Sequence, residues 1–499
     1  MPPVAVPESR PKPPRPWVPR ASMASALVLG AALMTGVAAA PPADAAEIAV
    51  PAGGPGSVAL TVHNGTAVVR ERRPASLPAG ESVLAFPDVP DGADATSVRL
   101  TVSGGDAGSL RVLERALSAD VPSQQRLLEL SVGQEIGLLI HDQGPDAPPR
   151  RATARVLSVA EDVVLEMDGA IRVGLPGELV LDSLPEGLRA SPTLLATVAT
   201  EAGGDETLDL TYLTSGLNWQ ADYALDLGDS LSGGDLRGWA TVTNTSGRSF
   251  DDAHLTLAAG TVNTGGGGGA RPEMAMRSDS LAMAAMPATP APQAQGGLYF
   301  YPVERPVSLA HRQTKQVALV DAPGVTVTPR YVIPAPSPEV YANARTDEDE
   351  VNAARWLVLT NTEDAGLGRP LPAGTVRVWQ AGPDGAPRFL GADQIGHTAV
   401  GAEATLRLGT DFDITAERRR LAFRRIGERV TESEHEIVVH NGKSDQPVTV
   451  TVQADLPGDR TLLSESHERT RESANRVAWT LEVPAEGETR LTYAIRTQF

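Results

Sequence analysis

The sequence reads as an all-β protein, a chain of tandem immunoglobulin-like β-sandwiches with a small SH3-like or OB-like barrel segment. Three observations carry that reading. Apolar side chains recur with a period of two from residue 58 onward, the mark of strands that bury one face. The alternating runs are short and end in turn formers, which 48 glycines and 41 prolines supply throughout the 499 residues. Helical spacing never lasts beyond a turn or two before a proline or glycine interrupts it.

Residues 1–45 have the pattern of a secretory signal peptide. Arg10, Lys12, Arg15 and Arg20 are followed by an uncharged stretch that ends only at Asp44. Val28, Leu29, Leu33 and Met34 form its apolar centre, and Ala43-Asp44-Ala45 supplies a small–x–small cleavage site. The alternative is an uncleaved anchor, since about 20 apolar residues span a bilayer. Alanine and glycine dominate the stretch, which leaves it weakly hydrophobic. The expectation is therefore an exported protein, periplasmic or surface-associated, touching the membrane only through the leader if that is retained. Without residues 1–45 the chain carries 39 basic and 60 acidic residues, a net charge of −21.

Four β-rich segments follow. In 46–120, the runs 58–62, 67–70, 83–86 and 97–102 alternate between Gly, Pro, Asn and Asp turns and make an N-terminal β domain. Residues 113–117 and 123–130 are the helical candidates. In 121–190, five short runs (135–140, 152–158, 162–167, 170–173 and 178–181) are evenly spaced, as in a small barrel. No aromatic residue lies between Gln125 and Leu184, which argues against an aromatic-lined cargo cleft there. In 191–345, a β-sandwich is expected from 207–212, 221–227, 236–243 and 254–257. Its loop 264–297, with five consecutive glycines, has no period and is read as disordered. In 346–499, a C-terminal sandwich is expected from 354–360, 375–379, 405–408, 436–440, 448–452, 477–483 and 489–495.

One local pattern recurs four times. Strands end in Val62-His63-Asn64-Gly65, Val242-Thr243-Asn244-Thr245, Leu359-Thr360-Asn361-Thr362 and Val439-His440-Asn441-Gly442. Asparagine tolerates the left-handed conformation and bonds its own backbone, so it suits a reversal between antiparallel strands.

Composition excludes several chemistries. The absence of cysteine removes disulfides, thiolate metal sites and cysteine nucleophiles. A net charge of −19 argues against nucleic acid as a partner. No Gly-x-Ser-x-Gly elbow, Walker loop or dinucleotide fingerprint occurs, and no cofactor is expected. His435-Glu436-Ile437-Val438-Val439-His440 misses the zincin spacing by one residue, and Ile437 to Val439 favour a strand with solvent-facing histidines. Asp411 and Asp413 are too few for tight calcium binding and read as an acidic strand end. Asp347 to Glu350 read as a solvated acidic turn. Met274, Met276, Met283 and Met286 are soft ligands for copper(I), but nothing else in their loop supports a site. The best binding candidate is the basic run Arg418, Arg419, Arg420, Arg424 and Arg425, which Arg429 extends. It suits an anionic group unless Glu417, Glu428, Glu432 and Glu434 balance it.

Longer words of sequence suggest kinship. The run Tyr212-Leu-Thr-Ser-Gly-Leu-Asn-Trp219-Gln-Ala-Asp-Tyr223 precedes Trp239 and Asn244. Gly366-Leu-Gly368-Arg-Pro-Leu-Pro-Ala-Gly374 leads to Val378-Trp379, then Phe389-Leu-Gly391 and Ile395-Gly-His397. From about residue 193 to 499 the chain resembles the domain family of unknown function at the C-terminus of mucoidy inhibitor A-like bacterial proteins. The resemblance implies an exported β-rich protein and brings no catalytic residues with it. Typical relatives place a coiled coil where this chain has its barrel-like segment. Trp219 and Tyr223 are four apart, so on a strand they point to the same side as core anchors.

The expected function is an exported, non-enzymatic interaction or envelope-maintenance module whose partner is an envelope protein or glycan. A carboxylate-dependent hydrolase acting on envelope polysaccharide is the alternative. Mass spectrometry of the exported chain should find Ala46 as its first residue, and Ala45→Glu should leave the leader attached. An exported wild-type chain of full mass would refute the cleavage site.

Overall fold

A computed structural model describes residues 47–104, 110–141, 148–183, 185, 187–228, 231–262, 291–336, 349–456 and 459–498. The leader, the four loop methionines, Asp347 and Glu348 lie outside the described residues. The described chain is almost wholly β, in four sheets of four, five, eight and thirteen strands.

Local patterning explains most elements. In Val58–Val62 every second side chain is buried, and Ala67–Leu77 and Leu208 to Thr214 repeat the alternation. Ser123 caps the helix Gln124–Leu130 by accepting from the Arg126 amide, as expected for 123–130. The other helical candidate, 113–117, is instead part of the strand Leu110–Ser118. That strand pairs antiparallel with Thr193–Thr200, so a distant partner supplies the hydrogen bonds that a local helix would have made.

The small segment forms one five-stranded half-barrel. Its order is Ala170–Val173, Val164–Met167, Arg150–Ser158, Glu135–Ile140, Glu178–Val180, and the first and last strands do not pair. Leu128 of the helix joins Ile136, Leu138, Val156 and Leu165 in its own small core.

Two larger cores remain. The first draws on Val50 to Leu100 and on residues from 194 to 408. Strand Val58–Val62 inserts parallel to Phe250–Ala259, so segments far apart in sequence interleave in one sheet. The second core gathers Tyr331, Ile414, Ile437, Val450, Trp479 and Tyr493. Two long strands, Gln313–Ile333 and Glu403–Gly427, thread both. Val317 and Val325 face the first core and Tyr331 and Ile333 the second; Leu406 and Ile414 divide in the same way.

Three of the recurring asparagines are buried side-chain staples. Asn244 Nδ2 donates to the carbonyls of Arg248 (2.8 Å), Leu309 (3.0 Å) and Ala310 (3.2 Å). Asn361 Nδ2 donates to Arg369, Thr398 and Ala399, and Asn441 Nδ2 to Gln446, Val483 and Pro484. Each amide ties its own turn to two residues that lie a few positions before the returning antiparallel strand. None of the asparagines is left-handed; Gly65, Gly247 and Gly366 take the positive φ angles in these turns. The asparagine is thus chosen for its amide rather than for its backbone freedom. Asn64 is exposed and makes no such staple.

Replacing Asn361 with alanine leaves the buried Thr398 carbonyl and the part-buried carbonyls of Arg369 and Ala399 short of a donor and should cost about 1–3 kcal/mol in chemical denaturation. Asn64→Ala should change stability by less than about 0.5 kcal/mol.

Candidate functional site

The expected basic run lies on the strand Glu403–Gly427, opposite Val430–Asn441. Strand geometry separates its arginines. Arg418 and Arg420 stand across from Ile437 and His435, whereas Arg419 stands across from Glu436. A register shift between Arg420 and Ala422 then sets Arg424 opposite Glu432 and Arg425 opposite Thr431. Most of these charges have acidic partners. Arg419 pairs with Glu417 at 2.6 Å, Arg418 with Asp349 at 3.4 Å, and Glu432 takes both Arg424 and Arg496. Arg418, Arg419 and Arg420 border a pocket of about 30 Å³ with His435 and Tyr493, too small for a sugar ring.

His435 is buried, not solvent-facing as expected, because the inward parity of its strand carries it under Arg420. It stacks on Tyr493, with ring centroids 5.2 Å apart, and Tyr493 stacks on Trp479 at 4.9 Å. His440, of opposite parity, is half-exposed beside Glu417 and Glu488. Asp411 is likewise buried rather than a solvated strand end. It pairs with Lys443 at 3.1 Å and accepts from the Asp413 amide, so its oxygens are already occupied. Among the described residues no cluster of three or more His, Asp or Glu side chains is placed to hold a metal.

A larger site was not legible in the sequence. A cleft of about 400 Å³ opens where the loop 52–55, Asp88 and Val89, Ser191 and Pro192, and residues 247–251 converge. Beneath it lies a buried charge cluster. Glu71 sits on strand Ala67–Leu77, and its parity turns it into the core with no exposure. Arg248 Nη1 and Nη2 reach its two oxygens at 2.5 and 3.2 Å. Arg73, equally buried, donates to Glu71 Oε2 at 3.0 Å, and Tyr212 donates to Oε1 at 2.6 Å. Two arginines against one carboxylate leave the cluster with a net positive charge.

The cluster also fixes the walls of the cleft. Arg73 Nη1 donates to the carbonyls of Val50 and Pro87, and Asn244 holds the carbonyl of Arg248. The Asp88 amide donates to Ser191 Oγ, and the Val89 amide to the Pro192 carbonyl. Gly247 is required where it stands, because a Cβ there would meet the Asp91 carboxylate at 2.1 Å and φ is +86°. Burial pushes the Glu71 carboxyl up, yet the charges of Arg248 and Arg73 and the hydrogen bonds from Arg248 and Tyr212 outweigh it, so it stays below its ordinary value. Burial and the Glu71 charge hold the Tyr212 hydroxyl well above 10. The sequence signals were weak: one acidic residue among the arginines of a strand, and one arginine after an asparagine turn.

Residues 208–499 match the model of a family described as a domain of unknown function, DUF4139. The chain belongs to this family. No curated protein matches it. The DUF4139 region contributes Tyr212 and Arg248 to the cluster, while Glu71 and Arg73 come from the segment before it. Within the DUF4139 region the longer sequence words are architectural. Trp219 Nε1 donates to the Ala258 carbonyl and the Tyr223 hydroxyl to Pro372, both from within the first core. Gly238 makes room for Tyr223, whose ring would lie 2.8 Å from a Cβ at that position.

Burial, with a smaller push from Arg420, lowers His435 to about 4 from its ordinary 6.5. Between these values the unfolded chain binds a proton that the folded chain refuses. Stability is therefore complete above pH 6.5 and falls as the pH drops towards 4, by on the order of 3 kcal/mol. Hydrogen exchange in Val430–Asn441 and Gly487–Gln498 should accelerate over that range, and His435→Gln should flatten the response. An unchanged exchange rate in the wild type would contradict a neutral, buried His435.

Proposed function

We propose that this DUF4139 protein is an exported, non-enzymatic binding module of the bacterial envelope that takes its partner, an envelope protein or glycan, in the cleft above Arg248. The observation that carries this reading is the chemistry of the cleft floor. A general acid or base works best with a pKa near the ambient pH. Glu71 is held low, Tyr212 is held high, and Arg248 is raised by the Glu71 charge against the opposing effect of burial. These groups present a fixed charge in a fixed place, which suits recognition rather than proton transfer.

Export rests on the basic start, the apolar middle and the Ala43-Asp44-Ala45 site of the sequence. Kinship with mucoidy inhibitor A-like proteins rests on the order of the words at 212–223, 366–374 and 389–397, and it too points to the envelope. The competing hydrolase would need a carboxyl poised to give up a proton beside the cleft. Asp226, which burial pushes up against the pull of Arg237, lines neither the cleft nor the small pocket.

Three baits test the site in envelope extract: the wild-type chain, Ser249→Trp at the rim of the cleft, and a chain with Arg418, Arg420 and Arg425 reversed to glutamate. The wild-type and charge-reversed baits should retain the same material, and Ser249→Trp should lose most of it. Equal retention by all three would overturn the cleft as the site, and loss with the reversed bait alone would move the site to the basic strand.

A further inference from the structure

The cleft has two electrostatic halves. Its floor is Arg248, whose side chain is 11% exposed and backed by the net positive cluster with Arg73 and Glu71. A guanidinium has five N–H bonds. Those spent here go from Nη1 to Glu71 and to the Tyr212 oxygen, and from Nη2 to Glu71. The Nε–H and the second Nη2–H have no partner among the described residues. The rim carries the opposite sign, because Asp88 and Asp251, both exposed, line the same cleft from opposite segments of the chain. Val58, Val89 and Phe250 supply apolar wall between the two halves.

A simple anion would be drawn to the floor but repelled at the rim, and a simple cation would meet the reverse. A ligand with a carboxylate and an ammonium a few ångströms apart satisfies both halves and leaves its apolar part against the wall. Its size fits, since small-molecule pockets run from roughly 300 to 1,000 Å³. From this we infer that the cleft binds an α-amino carboxylate head group, with the carboxylate on Arg248 and the ammonium between Asp88 and Asp251. The inference rests on the binding reading given above and narrows it to one ligand chemistry. Two sources offer that chemistry: a free amino acid, and an envelope peptide whose diamino-acid side chain ends in a free amine and carboxylate.

Binding to the purified full chain, measured by calorimetry, tests the assignment with leucine, 4-methylpentanoate, which lacks the amine, and leucinamide, which lacks the carboxylate. A peptidoglycan stem peptide with a free diamino-acid end, and its N-acetylated form, make the second arm. Leucine or the free-ended peptide should bind saturably, and each form lacking one charge should bind at least about tenfold more weakly. Leucine binding without peptide binding assigns the free amino acid, and the reverse assigns the envelope peptide. Asp88→Asn and Asp251→Asn should weaken the zwitterion about tenfold and should strengthen 4-methylpentanoate, which the two rim carboxylates repel. Asparagine tolerates the left-handed backbone of Asp88 (φ +59°), so the first variant keeps the lip in shape. Equal binding of leucine and 4-methylpentanoate, or no binding of leucine and the peptide alike, would overturn the assignment. Retention of envelope material that still depends on Ser249 would then leave the binding reading standing while this ligand class fails.

Discussion

One buried amide organises the part of the molecule that holds the cleft. Asn244 Nδ2 holds the carbonyl of Arg248 while its other bonds reach the turn before the strand Gln313–Ile333. With its backbone fixed, Arg248 can direct its guanidinium at Glu71 on a strand 177 residues earlier. A buried carboxylate is costly unless its charge is matched, and Glu71 is matched by two arginines and a tyrosine. The cleft takes its shape from that exchange, because the groups that satisfy Glu71 also pin its lips.

The same device recurs at Asn361 and Asn441, and its repetition explains how one long sheet carries two cores. In each case a strand ends at the asparagine, an excursion of chain follows, and a return strand pairs back antiparallel with the first. The staple closes the excursion at its base whatever its length, since the bonds involve only the turn and two residues a few positions before the return. Gln313–Ile333 and Glu403–Gly427 continue past the pairing into the next core, so each joins one sandwich to the next without a flexible linker.

The basic strand shows why density of charge in a sequence is a poor guide to a site. Five arginines within eight positions look like one patch, yet alternation sends neighbours to opposite faces and a register shift redistributes the rest. Glu417 and Glu432 then take up charge that would otherwise face solvent. Glu71 and Arg248 are single residues 177 positions apart whose neighbours give only weak signals, and strand parity and a distant turn make them partners. Burial alone explains why His435 lost its expected place in water, because a strand with one face in the core carries every second side chain inward regardless of its polarity.

The amino-acid pattern alone was enough for the all-β class, for alternating runs such as 58–62, 207–212 and 436–440, for the Ser123-capped helix and for the five strands of the half-barrel. Each depends on periodicity or turn chemistry within a dozen residues. The strand at Leu110–Ser118, the interleaving of Val58–Val62 with Phe250–Ala259, the role of the asparagine amides and the cleft itself were decided in three dimensions. The physical reason is common to all of them. Hydrogen-bond partners and counter-charges are chosen by proximity in space, and along this chain the groups that meet are often more than 100 residues apart.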